Sequence, residues 1–478
     1  MRVLLVNPDY EIERYMGRHF GRMGWVMPPM GLLYLGARLE EEGIEVAVYD
    51  AQIEERSLDA ALVEELPEIV GITCATALVG STLAAAGIVK QRSPSATVVV
   101  GGVHPTVRPD DLLTGDDIDI AVRGEGLETI VEIARAVDGG EQPDLGAVRG
   151  ISYRRDREIV HNPSRPLEPE VDVFPFPARH LLPMEVYRMS PDLSIRTPMD
   201  IVFGAYGCPY DCVFCAAQSV MGGSFRARSL DNIFAEIDRV VAEQNPRTLL
   251  MGDDNFVLSK ERTLDFCERY TARCYHETLP WQIATRVDSV DGEILEALAA
   301  AGCYLVSFGI ESAVGRLLDT VEKGAEVEQA ETAVRLAKQA GLVVRATFIL
   351  GLPGETREDS EATIAFAKRL PLDQVRFALA TPFPGTKLWE IAMAEGSVEI
   401  DDWMRLSSMG GYRSDELFYV PKGRDSEELK KLQRRANFSF YFRPRIMAGF
   451  VRRIRSFDEL TDYARGAWGL LKATVAPY

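Results

Sequence analysis

The sequence predicts an α/β chain: two successive parallel-sheet domains followed by a helical C-terminal region. Three observations predict this. Short apolar runs alternate with helical patterns from residue 1 to about 140, the signature of a parallel sheet covered on both faces. A second alternation, of six strand–helix units, fills 199 to about 395 and implies a partial (βα)6 barrel, short of the eight strands of a closed one. Beyond 396 the alternation stops and the pattern is helical. The expected organisation is therefore a first α/β domain at 1–140, a linker with a possible hairpin at 141–195, the barrel at 196–395 and a helical capping region at 396–478.

Five strands are expected in the first domain, at Val3–Val6, Glu45–Tyr49, Ile69–Thr73, Thr97–Val100 and Ile118–Val122, all rich in β-branched residues. Helices are expected near 30–42, 57–66, 79–92, around 107–114 and near 127–138. The carboxyl ends of the strands carry Thr73-Cys74, then Gly101-Gly102-Val103-His104-Pro105-Thr106, then Arg123-Gly124-Glu125-Gly126. Parallel sheets bind ligands beyond these ends, and glycine there lets a backbone approach a ligand closely. Glycine also simply ends strands, so both readings stand. Ile151–Arg154 and Arg157–His161 can pair as a hairpin around Asp156, and Val173-Phe174-Pro175-Phe176-Pro177 reads as an extended linker. In the barrel, strands are expected at 200–205, 248–252, 281–285, 304–310, 344–350 and 374–380. Helical patterns fall between them at 231–244, 262–274, 291–301, 326–340 and 360–370, with Gly302 and Gly341 where two of these should stop.

The first barrel strand runs into Gly207-Cys208-Pro209-Tyr210-Asp211-Cys212-Val213-Phe214-Cys215. Three thiolates on one short loop can hold three irons of a 4Fe–4S cube and leave the fourth iron without a protein ligand. Zinc prefers four ligands, usually in two close pairs, and the closest histidines are His180 and His276. A disulfide framework belongs to small, cysteine-dense chains, whereas this one has seven cysteines in 478 residues. Cys74, Cys267, Cys274 and Cys303 are scattered, which suggests core packing.

A net charge of −19 argues against a broad nucleic-acid footprint. The apolar run in Met1–Pro8 is too short for a secretory signal, and no stretch is long enough to span a membrane. A reducing cytoplasm is the expected location. From Leu429 to Arg455 there are nine Lys or Arg and no Asp or Glu, interleaved with Phe438, Phe440, Tyr441, Phe442 and Phe450. This segment reads either as a packed helix whose cations balance the acidic body, or as a contact for an anionic substrate, phosphate or peripheral membrane surface. Pro444 interrupts any long surface helix.

The cysteine run resembles the signature of the radical SAM superfamily. The resemblance implies S-adenosylmethionine on the open iron, with Phe214 and the strand ends around it. Those ends are Asp253, Asp254 and Asn255, where many relatives carry a Gly-Gly-Glu-like segment, then Thr285 and Arg286, Glu311 and Ser312, and Gly351. Asp253 and Asp254 should point opposite ways, so that one of them faces in. Arg286 can meet the carboxylate and Glu311 the ribose hydroxyls, or the two can pair as a structural ion pair.

The whole order of motifs resembles the cobalamin-dependent branch, with a flavodoxin-like (Rossmann-type) cobalamin domain before a TIM-like radical SAM barrel. Cobalamin is then expected against Thr73, Cys74, Gly101, Gly102, His104, Thr106, Arg123, Gly124, Glu125 and Gly126. The D-x-H-x-x-G run that supplies a cobalt-ligating histidine is absent. The corrin is therefore expected with its benzimidazole tail tucked away and no histidine on cobalt. The implied activity is C-methylation of an unactivated carbon, with cobalamin as methyl carrier and a 5′-deoxyadenosyl radical to remove hydrogen. A non-methylating outcome (ring formation, contraction or oxidation, as in the anaerobic Mg-protoporphyrin ester cyclase group) is the alternative. A corrinoid or iron–sulfur carrier without catalysis is the third. The implied partners are a small-molecule or natural-product substrate lying between the domains and an electron donor of flavodoxin or ferredoxin type.

Overall fold

The computed structural model describes residues 1–16, 26–139, 144–155, 158–188, 196–395, 402–453 and, near the C-terminus, 460–461, 464, 466–469 and 471–472. Strands β1 (Arg2–Asn7), β2 (Glu45–Asp50), β3 (Ile69–Thr73), β4 (Thr97–Gly101) and β5 (Ile120–Val122) form a parallel sheet in the order 2-1-3-4-5. This is a doubly wound order. Val3, Leu4, Leu5 and Val6 are all fully buried, as a strand covered on both faces must be. Helices Met30–Glu41, Leu58–Glu65, Val79–Arg92 and Leu127–Asp138 supply the cover. Strands β6 (Ile151–Arg155) and β7 (Glu158–His161) add antiparallel to β5, so the expected hairpin extends this sheet; its tip at Asp156 lies outside the described residues.

The single helix expected around 107–114 is instead a short helical turn at Val103–Val107 and a 3-10 turn at Pro109–Leu112. Pro109 disfavours helical backbone at the residue before it, and Arg108 accordingly sits at φ −144°.

The second sheet is parallel throughout, with β8 (Met199–Val202) beside β11 (Thr248–Met251), then β12 (Trp281–Arg286), β13 (Cys303–Glu311), β14 (Val343–Leu350) and β15 (Gln374–Leu379). Its two edges, β8 and β15, do not pair, so the (βα)6 arrangement stays open. Helices Leu230–Gln244, Lys260–Ala272, Gly292–Ala300, Val327–Gln339 and Arg357–Arg369 follow the strands in turn. Ser229, Ser259, Asp291 and Thr356 each cap a helix by accepting a backbone N–H from its first turn. Phe234, Phe266, Tyr270 and Trp281 stack beneath them, with Phe266 and Trp281 ring centres 5.0 Å apart. A two-residue pair, β9 (Ala205–Tyr206) against β10 (Arg226–Ala227), brackets the cysteine loop.

A buried ion cluster fixes the junction of the domains. Arg179, from the linker, donates to Asp200 at 3.0 Å and to Glu236 and the Ile201 carbonyl at 2.8 Å, and Glu236 also accepts from Arg228. Removing one member of such a set strands the others, which is strongly destabilising.

The C-terminal helix Ser426–Tyr441 packs on the barrel core through Leu429, Leu432, Ala436 and Phe440, and basic residues are paired around it. Fully buried Lys430 donates to Glu427 and to the Asp415 carbonyl, Arg434 donates to the Gly411 carbonyl, and Arg435 pairs with Glu361. In this helix the packed-helix reading of the basic segment holds; the side chains from 452 to 455 lie outside the described residues. Among the described residues no helix is long and apolar enough to cross a membrane. Of the scattered cysteines, Cys74, Cys267 and Cys303 are buried, but Cys274 is exposed, at a left-handed helix junction with φ +58°.

Candidate active site

A cleft of about 300 Å³ opens at the carboxyl edge of the first sheet. Thr73, Gly101, Gly102, Thr106, Gly124, Glu125 and Gly126 line it from the strand ends and loops, and Leu5, Gly71 and Val99, register partners on β1, β3 and β4, line it from one face of the sheet. Gly102 sits at φ +117°, and a Cβ there would lie 2.9 Å from the Cys74 carbonyl oxygen, so only glycine fits. Thr106 Oγ1 donates to the Gly102 carbonyl at 2.7 Å and accepts from Gly124 N at 3.0 Å, which ties the two glycine loops together.

Three residues expected here do not reach the cleft. The Cys74 side chain is in the core, where burial pushes its thiol up to about 12. His104 is fully buried, with Nε2 3.4 Å from Asp111 and its ring edge-on to Trp403 at 4.8 Å. Burial works against the Asp111 charge, but His104 and Arg108 beside it hold that carboxyl down at about 2. Arg123 turns toward the hairpin, donating to the carbonyls of Ile151 and Asn162. The loops are where the sequence places them; these three side chains point away.

At the barrel mouth, Cys208, Cys212 and Cys215 are free, half-buried thiols on the turn after β9. No three His, Cys, Asp or Glu among the described residues converge closely enough to hold a single metal ion. Burial pushes the Cys212 thiol up, and Lys323 and Arg286 act to bring it down.

Arg286 lies with its guanidinium 3.7 Å over the Tyr210 ring and Nη1 3.9 Å from Cys212 Sγ. It grips Asp288 through two bonds, at 2.7 and 2.9 Å, and donates to the Lys323 carbonyl. Glu311 instead accepts from Lys323 Nζ at 2.9 Å. The possible Arg286–Glu311 ion pair is therefore not formed, because each residue has a nearer partner. Lys323 had no sequence signal: it stands in a turn twelve residues beyond Glu311.

Asp253 and Asp254 differ in burial, but both lie beyond the end of β11 at Met251, where strand alternation no longer applies. Asp253 is buried, accepts from Gly204 N at 3.1 Å, and is pushed up to about 6 by that burial. Asp254 is exposed at the mouth. Asn255 accepts from Thr285 Oγ1 at 2.7 Å, while its own buried Nδ2 makes no hydrogen bond among the described residues. Ser312 turns into the fold, donating or accepting with Thr363 at 3.3 Å. Phe214 packs with Val213, Leu317, Leu352 and Leu388, and Gly351 lies under Leu429 of the C-terminal helix.

The two regions share a wall. A short helix, Ala217–Met221, begins two residues after Cys215, and its Val220 and Met221 line the first-domain cleft together with Tyr206. Gln218 of the same helix donates to the Tyr210 carbonyl at 2.8 Å, which braces the cysteine loop.

Comparison with known proteins accords with this two-part site. The B12 binding domain family matches residues 21–134 and the Radical SAM superfamily matches residues 202–367. "Uncharacterized methyltransferase PH0819" of Pyrococcus horikoshii is 34% identical to this chain over 94% of each. The chain belongs to the cobalamin-dependent radical SAM enzymes. Within that family, the anaerobic magnesium-protoporphyrin IX monomethyl ester cyclase of Rubrivivax gelatinosus is 31% identical, over 82% of this chain and 70% of the cyclase. The radical SAM methyltransferase TsrM of Kitasatospora setae, solved with tryptophan substrate and aza-SAM, superimposes with a TM-score of 0.67 at 25% identity. That match covers 83% of this radical SAM chain and 77% of TsrM.

Proposed function

We propose that this radical SAM enzyme is a C-methyltransferase acting on an unactivated carbon of a small-molecule or natural-product substrate. The observation that carries the reading is the shared wall. Val220 and Met221 close the glycine-rimmed cleft from a helix that starts two residues after the last loop cysteine. A group held in the cleft and a group held by the loop would thus face a common space.

The residues fit both groups. The cleft is glycine-rimmed and extends over the sheet face at Leu5, Gly71 and Val99, beside Leu32, Leu35 and Ile130 of the covering helices, which suits the flat base of a cobalamin tail. Cys208, Cys212 and Cys215 would hold a 4Fe–4S cluster; burial raises the Cys212 thiol, and the cations Lys323 and Arg286 partly offset it. Asp254, Asn255, Thr285, Arg286 and Glu311 would offer the acceptors and donors that the amino, carboxylate and ribose groups of S-adenosylmethionine need. When bound, the cluster supplies the electron that cleaves one S-adenosylmethionine, and the corrinoid supplies the methyl group. The chain's own part is placement: Arg286 is locked by Asp288 and Tyr210, so its position near Cys212 is set before any ligand arrives. An electron donor of flavodoxin or ferredoxin type and a reducing cytoplasm suit this chemistry.

The cyclase relative favours a second reading, in which the same cofactors serve ring formation, contraction or oxidation. A non-catalytic carrier is disfavoured by three loop thiols where a fully ligated cluster takes four. Anaerobic protein rebuilt with cluster and cobalamin should convert S-adenosylmethionine to S-adenosylhomocysteine and 5′-deoxyadenosine together, read by mass spectrometry against candidate substrates. 5′-Deoxyadenosine alone would move the assignment to the second reading; neither product would overturn both.

A further inference from the structure

We propose that Lys323 is a positioning residue for the adenosyl end of S-adenosylmethionine, acting through Glu311; this rests on the cofactor reading above. The two side chains are each only 7% exposed and meet at 2.9 Å. A buried carboxylate needs a paired cation, yet such a pair is rarely more stabilising than apolar residues of the same volume. Stability alone therefore does not account for it.

Three departures from regular strand structure converge on this pair. The register of β13 against β14 shifts between Gly309 and Glu311. Glu311 takes a left-handed backbone, φ +68°, which is costly for a non-glycine residue and common at ligand sites. Gly309 leaves the room: a Cβ there would lie 2.5 Å from Glu311 Oε1 and 3.0 Å from Lys323 Nζ. Together they aim Glu311 at the mouth, where its Oε1 is held by Lys323. Its Oε2 makes no hydrogen bond among the described residues and can accept from a vicinal diol.

The turn that carries Lys323 is itself fastened to the cysteine loop. Val213 N donates to the Val321 carbonyl at 3.0 Å, and Arg286 donates to the Lys323 carbonyl. Lys387 bridges Asp211 of the loop at 2.7 Å and Glu322 of the turn at 2.5 Å. Lys323 therefore sets the distance between the Glu311 carboxylate and the loop thiols. A nucleoside held at one end by the cluster and at the other by Glu311 would feel any change in that spacing.

The test is the effect of S-adenosylmethionine concentration on the EPR spectrum of the reduced cluster, with iron content as the folding control. K323M and E311Q should keep wild-type iron and each raise the half-saturating concentration by about tenfold or more, the size of effect seen when a buried charge loses its partner. The double variant should be no worse than either single one, and K323R, which keeps the cation, should recover most of the affinity. Wild-type half-saturation in K323M, loss of iron in K323M, or multiplying losses in the double variant would each overturn the role of Lys323. A wild-type cluster that ignores S-adenosylmethionine would instead overturn the cofactor reading.

Discussion

The cleft of the first sheet and the mouth of the second occupy the same place in their folds, beyond the carboxyl ends of parallel strands, yet they are made of opposite materials. The cleft is mostly glycine and apolar surface, and the one charged residue in its lining among the described residues, Glu125, is already engaged by Arg226 at 2.6 Å. The mouth holds three thiols, two cations near Cys212, and the carboxylates of Asp254 and Glu311. The difference teaches how each binds. A cleft without free charge selects by shape and is broken by added volume. A mouth lined with charge selects by coordination and ion pairing, and is broken by removing a single group.

The largest effect is expected at the mouth. C212A should lose iron and reduce 5′-deoxyadenosine formation to background, since one missing thiolate leaves a second iron unligated. Next comes G102V in the cleft. Its side chain would meet the Cys74 backbone at 2.9 Å and distort the loop, so cobalamin retention on gel filtration should fall at least about tenfold while the cluster stays. The smallest effect separates buried from exposed carboxylates within the mouth. Asp253 is held at about 6, above an ordinary value near 3.8, because it is buried. Below about pH 4 it is protonated whether folded or not; from there up to about pH 6 the unfolded chain ionises it while the folded chain holds its proton, so stability is lost across that window and levels off above it. D253N cannot ionise and should escape this loss. Its advantage over wild type should grow from about pH 4 to about pH 6 and then level off, at about 3 kcal/mol in urea unfolding.

Most of the frame was legible because buried parallel strands leave continuous β-branched runs, as in Thr97-Val98-Val99-Val100, and because glycines such as Gly302 and Gly341 mark helix ends. The cysteine loop was legible from spacing alone. Side-chain direction was not. His104 and Arg123 stand in the right loops but turn into the core and toward the hairpin. Partner choice was not legible either, since Arg286 found Asp288 two residues on, and Glu311 found Lys323 only through a turn. The helix Ala217–Met221 that joins the two regions has five residues, too few to show a period.

The contrast between the two regions is tested most directly by measuring iron and cobalamin together in anaerobically rebuilt C212A and G102V proteins. The account predicts opposite losses: C212A without iron but with cobalamin, and G102V with iron but depleted of cobalamin. Cobalamin held at wild-type levels by G102V, or lost from C212A along with the iron, would contradict it.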